Sequence, residues 1–272
     1  NTFHFAGVAS KSNVTRGVPR IEEILSLSEN PKNPSITIYL KEYEQTNKNK
    51  AQEYIHILEH TKLYDITKCV EILFDPDDMN TLIEEDRVLL SQHKEFQDMM
   101  TECIDDAYGD DSSNNSKWVL RITLNKESML DKNINMDDVN YVIKNGYKDE
   151  ISCVYSDFND NNLVMRLRMN NILQNKKKKK QTLDQSDDIY ILKNFQELLL
   201  NSIVLKGVKN VSKVILRKIT DNVIYNEGNF KKEEIWVLDT VGTNLLDVIS
   251  LDFIDQTRTY SNDIIEIYKL FG

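Results

Sequence analysis

Alternating apolar and polar residues predict several β-strands along the chain. In "KWVLRITL" (117–124), Trp118, Leu120, Ile122 and Leu124 share one face, as in a strand with one buried side. "EISCVYS" and "NLVMRLRM" flank the turn-like "DFNDN", so this stretch predicts a hairpin. Strands are also predicted for "SITIYL" (35–40), "CVEILF" (69–74), "IVLKGV" (203–208), "SKVILRKI" (212–219) and "EIWVLDTVG" (234–242).

Apolar residues spaced three and four apart predict helices between these strands. In "TRGVPRIEEILSLS" (15–28), Ile21, Ile24 and Leu25 fall on one face, and Pro19 suits the first turn, where its missing N–H is not needed. Further helices are predicted for 51–63, 83–106, 136–146 with Gly146 just past its end, 189–201, "NLLDVIS" and "NDIIEIYKLF". Residues 109–116 predict a loop, 174–188 a linker, and the charged stretch before "EIWVLDTVG" a turn region. Helices and hairpins are segregated, which favours an α+β fold.

Length and charge narrow the range of functions. The 272 residues suit one large domain or two modest ones. The formal net charge is −10, whereas a protein that binds nucleic acid alone usually carries a basic surplus. We therefore expect any contact with DNA or RNA to occur inside a larger assembly. Glycine is scarce, at 8 residues, and neither glycine-rich phosphate-binding motif occurs.

The cysteines and the hydropathy of the sequence indicate the kind of cellular compartment in which the protein works. Cys69, Cys103 and Cys153 are far apart and odd in number, which argues against a disulfide framework or a four-cysteine zinc site and fits a reducing compartment. The sequence has no apolar run long enough to predict a membrane span and no signal peptide. It also has no initiator Met, so we expect either a processed product or an excised piece of a longer protein.

Three patterns could carry chemistry, and each also has a plain structural interpretation. "HILEH" matches an inverted zinc-peptidase motif, in which His56 and His60 would bind zinc one helical turn apart and Glu59 would activate water. Such a site needs a third ligand, for which Glu127 is an arbitrary candidate, and the plain interpretation is a helix that binds nothing. The run Lys176–Lys180 could touch phosphates or form a solvated loop. "DPDD" (75–78) and "DDAYGDD" (105–111) lack calcium-loop spacing and favour solvated turns.

The first 25 residues, "NTFHFAGVASKSNVTRGVPRIEEIL", resemble the trigger loop and following helix of the largest subunit of RNA polymerases of the RNA polymerase II type. "NPSITIYL", "LEHTKL", "WVLRITL", "VLKGVKNVSKVI", "WVLDTVGTNLLDVI" and "IDQTRTYSNDIIEI" resemble later segments in the same order. The resemblance is weakest over 40–116, and the lysine-rich linker departs from it.

The resemblance implies an α+β fragment of that subunit in four segments. Residues 1–30 would be the second half of the trigger loop and its helix, 31–40 a cleft strand, 41–233 the jaw, and 234–272 a truncated cleft segment. The asparagine- and lysine-rich composition is compatible with a large DNA virus or an AT-rich protist.

Two residues receive functional roles from the resemblance. His4 corresponds to the catalytic histidine that reaches the β-phosphate of the incoming nucleoside triphosphate, where it stabilises charge on the pyrophosphate leaving group or donates a proton. Asn1 corresponds to a substrate-binding residue beside the sugar. Phe3 and Phe5 would pack the closed helix, and Ala6, Gly7 and Ala9 would let it move.

The resemblance also implies the assembly in which the chain works. The metal-binding aspartates of the polymerase are not in this sequence, so no metal site is expected here, Mg²⁺ is implied only for the intact enzyme, and the fragment alone should be inactive. Implied partners are the second-largest subunit, small jaw-binding subunits, a transcript-cleavage factor, downstream DNA and the triphosphate. The expected location is the nucleus, or a viral factory or virion if the protein is viral.

One alternative from a different class is a free-standing interaction module without catalysis. The two hypotheses differ in what precedes Asn1 in the gene. Coding sequence leading back to an "NADFDGD"-type motif would support the polymerase, and a start codon directly before Asn1 would support the module.

Overall fold

The computed structural model describes residues 15, 17–78, 80–103, 116–170, 185–226 and 229–271. The chain divides into two compact units. Residues 62–205 form one, here called the inserted unit, and the stretches before 62 and after 205 form the other, here called the flanking unit. Both boundaries lie inside the stretch 41–233 that was predicted to be the jaw.

The described residues mix helices and antiparallel strands, so the predicted α+β class is confirmed. The helices are α1 (Val18–Leu25), α2 (Lys48–Leu58), α3 (Leu63–Ile66), α4 (Arg87–Cys103), α5 (Lys126–Asp131), α6 (Met136–Tyr147), α7 (Gln185–Ser202), α8 (Leu245–Ile249) and α9 (Ile264–Phe271), with short 3₁₀ turns at Glu84–Asp86 and Lys148–Glu150. The strands are β1 (Ile36–Tyr39), β2 (Thr61–Lys62), β3 (Thr67–Phe74), β4 (Trp118–Leu124), β5 (Ile151–Tyr155), β6 (Leu163–Met169), β7 (Val204–Lys206), β8 (Lys213–Asn226), β9 (Asn229–Val241) and β10 (Tyr260–Ser261).

The inserted unit contains an antiparallel sheet in the order β3-β4-β6-β5. The predicted hairpin is present as β5 and β6, with Cys153 opposite Leu167. One face of the sheet is apolar, because Leu120, Ile122 and Met165 are fully buried against Met129 of α5 and Ile143 of α6. This cluster is the hydrophobic core of the unit.

The flanking unit contains a second antiparallel sheet, in the order β10-β1-β9-β8. Ile38 of β1 lies opposite Leu238 of β9, and both are fully buried together with Leu58 of α2 and Val248 of α8. β8 and β9 form a long hairpin with a register shift between Ile219 and Asn222.

Two glycines of the flanking unit stand where no other residue fits. Gly207 has φ +95°, and a Cβ there would lie 2.0 Å from the carbonyl oxygen of Glu59. Gly242 has φ +98°, and its Cβ would lie 1.9 Å from the carbonyl oxygen of Asn210. Only glycine combines this left-handed conformation with such a close approach of two backbone segments.

Several predicted elements differ from the structure, among them the linker predicted over 174–188, since α7 already begins at Gln185. The helix predicted over 51–63 begins at Lys48, where the Asn47 side chain caps it, and ends at Leu58. Gly146 lies inside α6, and the left-handed residue at the helix end is Lys148, with φ 46°. The charged stretch before "EIWVLDTVG", predicted to be a turn region, continues β8 and β9, because cross-strand pairing such as Val223 with Lys232 extends into it.

Candidate functional site

The predicted catalytic and substrate-binding residues, His4 and Asn1, lie outside the described residues. The same holds for the Phe3 and Phe5 pair and for the run Lys176–Lys180. Their roles therefore stay predictions. The structure does describe the helix that follows the predicted loop, the faces of the sheets, and the motifs "HILEH" and "DPDD".

The helix after the predicted loop begins as the sequence predicts. Gly17 precedes α1 with φ +73°, and Pro19 occupies the first turn. The backbone N–H groups of Arg20 and Ile21 donate to the Gly17 carbonyl at 3.0 and 3.2 Å. The left-handed glycine turns the chain sharply at this point, so α1 starts here as a separate element.

Polar contacts hold α1 to the rest of the flanking unit. The Arg20 guanidinium donates to the backbone carbonyl of Asn262 and, at 3.0 Å, to the Glu23 carboxylate. Glu23 also accepts from the backbone N–H of Lys32 at 3.3 Å. Burial raises the pKa of Glu23, but these hydrogen bonds outweigh it and the net shift is downward. The carboxylate is therefore charged at neutral pH and anchors the helix.

The apolar side chains of α1 point away from any core of the described residues. Ile21, Ile24 and Leu25 share a face as predicted, but they are 56%, 44% and 78% exposed. Val18 and Leu27 extend this surface. An exposed apolar stripe of this kind suits contact with another part of an assembly.

The zinc interpretation of "HILEH" does not survive the helix geometry. α2 ends at Leu58, and Glu59 has ψ 118°, so His60 does not lie one helical turn from His56. The His60 backbone N–H instead donates to Val211, and the Glu59 carboxylate accepts from the backbone N–H of Val214 at 3.0 Å. Within the described part of the chain, no group of three His, Cys, Asp or Glu residues is placed to hold a metal ion.

The prediction that "DPDD" is a solvated turn is wrong for its first residue. Asp75 is 1% exposed and lies 2.5 Å from Arg166 Nη2, and the hydroxyl of Thr81 donates to it at 2.7 Å. Asp77 and Asp78 are exposed, as predicted, although Asp78 accepts from Arg168. The difference arises because arginines on β6 face this segment.

These arginines occupy the second face of the inserted unit's sheet. Arg121 of β4 and Arg166 of β6 are direct cross-strand partners, an arrangement that is unfavourable for two like charges. Asp86 lies between them, accepting from Arg121 Nε at 3.0 Å and from Arg166 Nη1 at 2.7 Å. Glu71 and Glu85 complete the partners of Arg121, each at 3.2 Å. We call this set the arginine–carboxylate network.

The groups of the arginine–carboxylate network and their neighbours do not suit proton transfer. The hydrogen bond to Asp86 raises the pKa of Arg121, while burial opposes the shift. The nearest histidine in sequence, His93 of α4, has its pKa lowered by burial and then by Lys144, so it is neutral at pH 7. On the opposite face, burial raises the pKa of Cys153 to about 12. These groups suit a structural role.

A comparison with known protein families shows the family of this chain. A family model described as RNA polymerase Rpb1, domain 7, matches residues 61–206, more than half of the chain. The chain belongs to this family. The matched stretch almost coincides with the inserted unit, residues 62–205, so the Rpb1 domain 7 match and the compact unit describe the same part of the molecule.

Family membership establishes the general role. The protein is part of the largest subunit of an RNA polymerase, a nucleotidyltransferase complex, and works in transcription with other polymerase subunits and DNA. The family implies Mg²⁺ in the intact enzyme. In this Rpb1 domain 7, the clustered carboxylates Asp75, Asp78 and Asp86 are each bonded to an arginine, so they do not fit a cation. In addition, no helix among the described residues is long and apolar enough to cross a bilayer.

The network was missed by reasoning from the sequence, although a signal was present. In "LVMRLRM", Arg166 and Arg168 lie on one face of a strand whose other face is apolar. Two arginines inside a buried strand require carboxylate partners. The identity of those partners could not be deduced, because they lie far away in the sequence.

Proposed function

We propose that this chain is the part of the largest subunit that runs from the trigger loop through the jaw into the cleft. Residues 1–30 supply the loop and its helix, 31–40 a cleft strand, 41–233 the jaw and 234–272 a cleft segment. Two independent observations support this order: the polymerase family match over 61–206 and the resemblance of the first 25 residues to a trigger loop.

In this proposal His4 acts on the incoming nucleoside triphosphate. As an imidazolium near the β-phosphate, it stabilises the charge that develops on pyrophosphate as the new bond forms, or transfers a proton to it. An imidazole suits both roles, since its ordinary pKa near 6.5 allows a cation beside phosphate at neutral pH. Asn1 contacts the sugar. Mg²⁺, when bound by other parts of the enzyme, supplies the metal-ion chemistry.

The described residues that follow this loop support a loop that moves next to an anchored helix, α1. Arg20 and Glu23 tie the start of α1 to the flanking unit. Gly17, with φ +73° and open space around its Cα, separates α1 from the residues before it. A loop that closes on substrate and opens for translocation needs such a hinge beside an anchored helix.

The test is His4→Ala in the intact polymerase. We expect single-nucleotide addition to slow by about 100-fold or more, as for the loss of a general acid or a transition-state donor. His93→Ala is the matched control, because it removes a histidine from α4 of the inserted unit and should leave the rate within a few-fold. A His4→Ala enzyme that assembles fully and adds nucleotides at close to the normal rate would refute the role.

We further propose that the jaw contacts downstream DNA, the second-largest subunit, small subunits and a transcript-cleavage factor. The net charge of −10 fits a scaffold whose positive field comes from neighbouring parts of the enzyme. A nuclear location, or a viral factory or virion for a viral enzyme, follows from the same proposal. Purification of the tagged full-length protein tests it: co-purification of the second-largest subunit is expected, and its absence would favour the free-standing module.

A further inference from the structure

We infer that residues 75–78 and 80–86 form an ionic strap that holds α4 on the sheet of the inserted unit, and that the strap and α4 open together while the sheet stays folded. This is a conformational device within Rpb1 domain 7, and it does not depend on the proposed role of His4. Its support comes from how the segment is attached.

Apolar attachment of this segment is slight. Among the described residues between Phe74 and Trp118, Leu90 is the one buried apolar side chain, at 6% exposure. Four other large apolar side chains of the strap and α4 are more than half exposed, Leu82, Val88, Phe96 and Met99, while Ile83 and Leu89 are partly buried. A helix of 17 residues usually buries a whole stripe, so packing alone does not explain the position of α4.

Ionic attachment, in contrast, is extensive. Asp75 and Asp86 are each 2% exposed at the side chain and both bind Arg166. Asp78 accepts from Arg168, whose Nη1 also donates to the Ser116 carbonyl at 2.9 Å. Asp86 is the last residue before α4, so the network ends at the first turn of the helix. The arginines therefore set where α4 begins.

The physical chemistry of buried ion pairs makes this attachment releasable. Bringing the carboxylates and guanidiniums together removes both from water, and that desolvation offsets much of their attraction. Opening the strap returns these groups to water, whereas opening the apolar face exposes hydrocarbon with no such compensation. The strap also leaves one acceptor unsatisfied, because Asp75 Oδ1 is buried without a hydrogen-bond partner among the described residues. Opening should therefore cost much less than unfolding the unit.

Opening would change the charge of the sheet face. In the closed state Arg121, Arg166 and Arg168 face carboxylates of the strap and of β3. In the open state Glu71 of β3 stays beside Arg121, and Asp75 stays next to the sheet because its backbone N–H donates to the Lys117 carbonyl at 3.0 Å. The closed face therefore carries five carboxylates against three arginines, and opening leaves the arginines in excess.

Hydrogen exchange of backbone amides, followed by mass spectrometry on the full chain, tests the inference. In the unmodified protein, we expect the first two turns of α4 (residues 87–93) to exchange at least about 100-fold faster than β4 and β6, corrected for intrinsic rates. Asp86→Asn should speed exchange in α4 by a further factor of about 10 and leave β4 and β6 unchanged. Glu84→Gln removes a charge from the same strap at an exposed residue, and it should change neither region.

Two results would overturn the inference. One is equal protection of residues 87–93 and the sheet in the unmodified protein, which needs no variant and would mean that the unit opens as a whole. The other is an equal response to Asp86→Asn and Glu84→Gln, which would mean that the bonds to the arginines are not what holds α4. If Asp86→Asn does not fold, Asp75→Asn removes the other buried bond to Arg166 and carries the same expectation.

Discussion

The sheet of the inserted unit has two faces that are built by different means. On one face Leu120, Ile122 and Met165 are fully buried against α5 and α6. On the other, Arg121 and Arg166 lie side by side and are paired with acidic residues of a strap that buries little apolar surface. Burying hydrocarbon is favourable without specific partners, whereas burying a charge is favourable only when an opposite charge accompanies it. Removing a buried side chain from the apolar face is therefore costly, and the stability of the charged face depends on a few ion pairs.

The largest effect is expected on the apolar face. Ile122→Ala deletes three buried carbons at the centre of β4 and should lower the free energy of unfolding of the inserted unit by about 4 kcal/mol. Urea denaturation followed by the fluorescence of Trp118, in a Trp236→Phe background, would measure it. Leu130→Ala, at a residue of α5 in the same unit that is 58% exposed, is the control and should cost far less. Equal losses at the two positions would contradict the comparison.

The apolar face is also the part of the fold that the sequence predicts best. The alternation of "KWVLRITL" places Leu120, Ile122 and Leu124 on one side of a strand, and the structure buries all three. Local periodicity suffices because hydrocarbon needs no specific partner. The hairpin of β5 and β6 was predictable for the same reason, together with its turn residues.

The ionic face was not predictable to the same degree. Arg166 binds Asp86 and Asp75, which are 80 and 91 residues away in sequence, so no local pattern pairs them. "DPDD" has the composition of an exposed turn, and only the arginines opposite it bury its first residue. The zinc interpretation of "HILEH" was also wrong. Its spacing requires a helix that continues through His60, whereas α2 ends at Leu58. For the candidate site, the resemblance in the sequence predicts His4, and that prediction stays untested. The described residues contribute the anchored helix α1 that follows the predicted loop in the sequence.

A smaller effect is expected when the ionic face is broken. Removing one member of a buried ion pair typically costs 3–5 kcal/mol, but here the strap can open and return Asp75 and Asp86 to water. Arg166→Met should therefore lower the free energy of unfolding by only about 2 kcal/mol in the same Trp118 assay. Glu85→Gln, which removes an exposed partner of Arg121 in the same unit, is the control and should change it by less than about 1 kcal/mol. A loss from Arg166→Met as large as that from Ile122→Ala would mean that the strap does not open.

The smallest effect concerns the rim where the apolar face meets water. The Tyr155 hydroxyl donates to the Asp137 carboxylate of α6 at 2.8 Å, and this bond, followed by burial, raises the pKa of Tyr155 above its ordinary value of 10. Because the bond is exposed, Tyr155→Phe should cost only about 0.5 kcal/mol at pH 7. A raised pKa means that the folded state holds the proton more tightly, so this contribution is complete below pH 10 and is lost as the pH rises through the pKa of the folded state. Urea denaturation of both proteins between pH 7 and pH 11 would therefore show their difference shrinking above about pH 10. A difference that stays constant across this range would assign the effect to packing of the Tyr155 ring instead of to the hydrogen bond. In that case the rim would be held by apolar contacts, like the rest of this face.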